Sequence, residues 1–207
     1  MAQITSYPFL RQLRSDTSSY VQEFQSGHRV RSGRGLAFWF RSNGASISEI
    51  PMDDRQLPFM LRGHSADYQE LTIYGTVIWR VIAPEALGDR MDFAIDLKSG
   101  RHIGEPMDQL DTVLVSLVRQ SANSYLTRFG VREVLDAGIA PLQFAITDGM
   151  TSDSSLSDLG LTLVKVHVAN LEPRTELARA LKAPVFEHLQ KQADEALLAG
   201  RSVRMEH

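Results

Sequence analysis

The chain contains no cysteine, which excludes disulfides, thiolate nucleophiles and cysteine-ligated zinc. That absence suits a reducing compartment, and a cytoplasmic location is the expectation. Long apolar runs are also missing. The longest, Leu36 to Phe40, has five residues, far short of the roughly 18 that a membrane-crossing helix needs. The opening Met-Ala-Gln-Ile-Thr-Ser has no basic stretch followed by an apolar one, so a signal peptide is not expected.

What is present is enough for a real core: 207 residues, of which 43% are hydrophobic. Charge is unevenly placed. Residues 1–41 hold Arg11, Arg14, Arg29, Arg31, Arg34 and Arg41 against Asp16 and Glu23, a balance of +4; a total of −3 therefore leaves −7 for the rest of the chain. Such an asymmetry fits either ordinary surface solvation or an anionic partner.

Element signals run in a definite order. From Ser19 to Ile82 the pattern is of short strands: Tyr20 to Gln25, His28 to Arg31 after a Ser26-Gly27 turn, and Leu36 to Arg41 after Gly33 and Gly35. Asn43-Gly44 predicts a hairpin into Ala45 to Pro51, because both residues tolerate positive φ. Gln56 to Arg62 and Glu70 to Ile82 follow, the latter with Leu71, Ile73, Val77, Trp79 and Val81 on one face. Alternation in the third strand puts Leu36, Phe38 and Phe40 on one side and Ala37 and Trp39 on the other.

Beyond Ile82 the period changes. Pro84 opens a short helix, and residues 106–129 carry Met107, Leu110, Leu114, Leu117, Val118, Ser121, Tyr125 and Phe129 at helical spacing, with few charges, predicting a largely buried helix ended by Gly130. Short helices are expected over Val131 to Ala137 and about Asp153 to Leu159. A strand follows in "LTLVKVHVANLEP", with Val164, Val166 and Val168 facing one way. After Pro173 a helix starts, pauses near Pro184 and resumes with Phe186, Leu189, Ala193 and Ala196 at spacings of three, four and three, the beginning of a coiled-coil seam.

Catalytic patterns are weak. Gly33-Arg34-Gly35 is followed by a strand-like aromatic run where a phosphate loop needs a helix N-terminus. No Gly-x-Ser-x-Gly elbow occurs, the six histidines fall one per element, and Asp53-Asp54 sits in a strand connection as a turn would. We therefore expect no catalytic residues, no metal and no cofactor. Nucleic acid is disfavoured as a partner, since no recognisable reading motif backs the N-terminal arginines.

Five segments in order resemble the SPFH domain of stomatin, prohibitin and flotillin, also called Band 7. They are "VQEFQSGHRVRSGRGLAFWF", "ISEIPMDDRQLPF", "QELTIYGTVIWRVIAPEAL", "LVRQSANSYLTRFGVREVLDA" and "LGLTLVKVHVANLEPRTELARALKAPVFEHLQKQADEAL". The resemblance implies an α+β fold with a mostly antiparallel curved sheet and packed helices, followed by a C-terminal helical extension. It divides the chain into an N-terminal segment, residues 1–18, a domain over 19–172 and the extension over 173–207.

It also implies a non-enzymatic scaffold that forms homo-oligomers at a membrane surface and organises lipids or partner proteins such as membrane proteases. Many family members carry an N-terminal membrane segment. The sequence here offers only Phe9, Leu10 and Leu13 beside Arg11 and Arg14, a short surface contact that needs many copies to bind firmly. Arg34, Trp39 and Arg41 complete the expected contact set for an anionic membrane or partner. The alternative function is a soluble binding module using this basic, aromatic face for an anionic ligand or a partner protein.

Overall fold

The computed structural model describes residues 3–7, 10–180, 183 and 190–192. Six strands form the N-terminal part: β1 (Gln3–Ser6), β2 (Arg11–Arg14), β3 (Ser19–Gln25), β4 (His28–Arg34), β5 (Ala37–Phe40) and β6 (Ala45–Pro51). They make two antiparallel three-stranded sheets, ordered β1-β2-β5 and β4-β3-β6. Leu13, Phe38 and Phe40 of the first sheet and Val21 and Ile47 of the second pack together with Ile95 in one buried cluster. Each such side chain contributes about 1.5–3 kcal/mol when taken from water, so the period-two alternation of β5 is what joins the sheets.

The larger part is built on a third antiparallel sheet, β7-β8-β9, from β7 (Arg55–His64), β8 (Glu70–Val81) and β9 (Leu161–Pro173). Between β8 and β9 run α1 (Pro84–Arg90), α2 (Pro106–Leu126), α3 (Val131–Ala137), α4 (Ile139–Ser152) and α5 (Ser154–Asp158). Leu71, Ile73, Val77, Trp79 and Val81 line the buried face of β8 and meet Leu110, Leu114, Val118 and Leu126 of α2 and Leu142, Ile146 and Met150 of α4. Strand β6 serves both cores, giving Ile47 to the smaller cluster and Ile50 to the larger. The architecture is α+β, as expected.

Several expectations need correction. Asn43-Gly44 forms a turn, with Gly44 at φ 72°, but no hairpin: β5 pairs with β2 while β6 pairs with β3, so the turn carries the chain from one sheet to the other. Burial of Phe38 and Phe40 against Leu13 outweighs the local signal. Within the expected N-terminal segment, residues 3–6 and 11–14 are strands of the first sheet, which were not among the predicted elements. Val164 does not share a face with Val166 and Val168. The register slips between Ile78 and Trp79, which leaves Val164 as the bulged residue, 42% exposed, while the other two are 2% exposed.

Helix α2 buries one stripe, not most of its surface. The stripe drifts to Ala122 and Leu126 near the C-terminal end, leaving Tyr125 half-buried and Phe129, beyond the helix, exposed. Helix α4 had no counterpart among the predicted elements: Gly138, Pro141 and Gly149 look like breakers, yet Pro141 falls in the first turn, where its missing N–H is harmless. Gly149 is needed for close approach, since a Cβ there would stand 2.5 Å from Ser121 Oγ on α2. Residues 175–180 are helical after β9. The seam residues Phe186, Leu189, Ala193 and Ala196 lie outside the described residues.

Candidate functional site

The β1-β2-β5 sheet has two different faces, fixed by its register. Across the strands Ile4 opposes Leu13 and Leu13 opposes Phe38, a row that points into the smaller core. The alternate rows, Thr5–Gln12–Trp39 and Gln3–Arg14–Ala37, point outward. Trp39 is 50% exposed, and Tyr7, just past β1, lies tilted against it at a ring-centroid distance of 5.0 Å and an interplanar angle of 52°. Leu10 is exposed beside them, and Arg14 and Arg41 are exposed. An aromatic pair, an aliphatic side chain and two guanidinium groups thus sit on one small sheet.

Each expected contact residue has a definite place. Leu10, Arg14, Trp39 and Arg41 have surface to offer. Leu13 has none: it is fully buried in the core, so its expected surface contact is withdrawn. Arg11 lies in the inward row opposite Phe40, and its Nη1 donates to the Leu97 carbonyl at 2.7 Å. It ties β2 to the 93–97 segment, and a surface role is withdrawn for it also. Arg34 is exposed but belongs to β4, in the other sheet. Phe9 lies outside the described residues.

Tyr7 was absent from the expected set. Its only sequence signal was an aromatic next to a proline, and its role depends on β1 folding back on β2. Arg31 has a structural use, with its guanidinium carbon 4.5 Å from the centre of the Phe38 ring and its Nε 3.8 Å from Glu23. A second exposed aromatic surface flanks the groove between α2 and α4, a cavity of about 480 Å³ whose lining includes Tyr125, Phe129 and Phe144. Phe144 is 73% exposed. It was missed because α4 itself was.

Among the described residues no three His, Asp or Glu side chains gather as a metal-ligand set. His102 is occupied by a contact of 2.8 Å between its Nε2 and the Glu49 carbonyl and by an edge contact with Phe93. No helix of the described residues is long and apolar enough to cross a membrane.

Two small facing sheets joined through β6 to a helix-covered three-stranded sheet define an α+β domain with an exposed aromatic and basic face at its N-terminal end. The profile of the SPFH domain / Band 7 family matches residues 15–200, most of the chain, and the chain belongs to that family. Its members are generally membrane-associated, non-enzymatic scaffolds. No curated protein matches the chain.

Proposed function

We propose that this protein is a self-assembling scaffold without enzymatic activity that works at the cytoplasmic face of a membrane, where it organises lipids or partner proteins such as membrane proteases. The observation that carries this reading is the outward face of the β1-β2-β5 sheet, with Tyr7 and Trp39 in ring contact and Arg14 and Arg41 exposed. Tryptophan and tyrosine favour the headgroup level of a bilayer, and each basic residue near an anionic surface adds about 1 kcal/mol. One such face binds weakly; several copies held together bind firmly, which makes assembly part of the function. The residues Phe186, Leu189, Ala193 and Ala196 are the proposed helical seam between copies.

Flotation with vesicles tests the membrane half. Wild type is expected to float with vesicles containing phosphatidylserine and much less with purely phosphatidylcholine vesicles. Trp39→Ala together with Arg14→Glu should abolish flotation while leaving the circular dichroism spectrum unchanged, since both residues are exposed. Flotation that is indifferent to this double substitution would remove the face from the account.

A further inference from the structure

The groove of about 480 Å³ on the outer side of the helix layer is walled by residues 120–129 of α2 and its end and by residues 141–149 of α4. Its aromatic rings face solvent. Phe144 is 73% exposed and Phe129 39%, and the half-buried Tyr125 ring lies 5.2 Å from that of Phe129. Neither phenylalanine belongs to the core, and apolar groups clustered this way mark a contact surface. The lining carries one charge of each sign, Arg128 and Asp148, so an occupant needs an apolar face with uncharged flanks.

The chain itself leads to this groove. At the end of β9 Pro173 pairs with Leu71, and the Arg174 N–H donates to the Glu70 carbonyl at 3.2 Å, so the chain leaves the sheet beside the β7-β8 turn. The same turn touches the far end of α2, where the Ala66 N–H donates to the Phe129 carbonyl at 2.9 Å. Exit point and groove mouth therefore share one end of the domain. Leu177 then packs against the larger core, which sets the outgoing chain on the helix-covered side of the sheet. Residues 178–185 separate it from Phe186, and they include Pro184, which interrupts helical hydrogen bonding and lets the chain bend back.

Length and shape agree. The α2 wall extends about 14 Å and a helix from Phe186 to Ala196 about 15 Å, at 1.5 Å per residue. Entering from the Phe129 end, Phe186 and Leu189 meet the part of the groove bordered by aromatic rings. Ala193 and Ala196 meet the part where α2 and α4 approach most closely, at Ser121 and Gly149, and where small side chains fit. The residues beside this seam are Gln190 and Gln192, both uncharged, and Lys191 stands directly opposite it; all three are helical and exposed.

From the solvent-facing aromatics, the shared exit and the graded fit, we infer that the α2-α4 groove shelters the Phe186–Ala196 segment of its own chain. The sheltered seam is then held back from pairing with a second copy, so the groove acts as a brake on association. This rests on the scaffold reading above, which assigns the same seam to contacts between copies.

Alkylation of a single introduced thiol tests the shelter, because the chain has no cysteine of its own. Ser124 is exposed and lines the groove. In the dilute full chain Ser124→Cys should react with iodoacetamide about tenfold more slowly than in a Leu189→Asp background, where the segment is released. The protection should be independent of protein concentration. Ser157→Cys, exposed on α5, should react alike in both backgrounds.

Phe144→Asp alters only the groove and leaves the seam intact. It should deprotect the thiol and strengthen self-association in sedimentation velocity about tenfold, since the competent form is no longer a minority. Equal reactivity with and without Leu189→Asp would overturn the shelter, and assembly in those same samples would leave the scaffold reading standing. Protection that grows with concentration would overturn it too, by showing a second copy over the groove. Deprotection by Phe144→Asp without stronger association would overturn the brake.

Discussion

Asp67 shows how much a single exposed side chain holds in place. One of its carboxylate oxygens, Oδ1, accepts from the Ser65 hydroxyl and from the backbone N–H of Val131 at 3.0 Å, so the β7-β8 turn caps the first turn of α3 across 64 residues of chain. The hydrogen bond from Ser65 is the main reason its carboxyl lies below the ordinary value; some burial opposes it, and the bond from Val131 assists. A lowered carboxylate stabilises the fold at pH values above the unfolded group's own, about 3.9, and that stability is lost as pH falls through the lower folded value. Asp67→Asn should therefore melt earlier than wild type at neutral pH, and the gap should close on acidification below about pH 4. Thermal melts across pH check this, and a gap that persists undiminished into strong acid would contradict it.

At this scale the sequence was partly readable. Alternation assigned Phe38, Phe40 and Trp39 to their sides because a strand offers only two. The same reasoning could not place Leu13 or Arg11: without β1 and β2 in view, a short Phe-Leu-Arg stretch looks like a surface anchor, and only pairing with β5 turns its leucine into core. Tyr7 owes its role to Trp39, a partner remote in sequence.

At the scale of elements, β9 is the informative case. Its limits were legible from the Val-rich run between Gly160 and the Pro173 region, but its register was not. Bulges between Tyr74 and Gly75 and between Ile78 and Trp79 let a 13-residue strand follow the twist of β8, and each moves one residue out of alternation. Val164→Thr should change urea stability by less than about 0.5 kcal/mol, as at an exposed site. Val166→Thr should cost about 1–3 kcal/mol, since it buries a hydroxyl among Val77 and its neighbours. Equal effects at the two positions would show the bulge to be misplaced. Helix α4 was hidden for a related reason: Gly149 breaks helices in isolation, whereas here contact with Ser121 rewards the absence of a side chain.

At the scale of the whole molecule, the exposed aromatic surfaces are kept apart. The aromatic and arginine-bearing face belongs to the small N-terminal sheet, and an exposed Phe144 to α4. A monomer acting alone has little use for such separation. A scaffold has several surfaces to serve, one toward a membrane and others toward its neighbours. Family membership and fold class could be read in advance because five local patterns occur in the right sequence, whereas β1, β2 and α4 could not. The surfaces could not, because each is assembled from strands or helices remote along the chain.

Counting the mass of individual particles on a supported bilayer containing phosphatidylserine tests the central claim most directly, since it reads membrane contact and assembly together. The account predicts bound particles whose mass exceeds that of the 23.1 kDa chain and grows with surface density. Particles of single-chain mass at every density, or a bare bilayer, would contradict it.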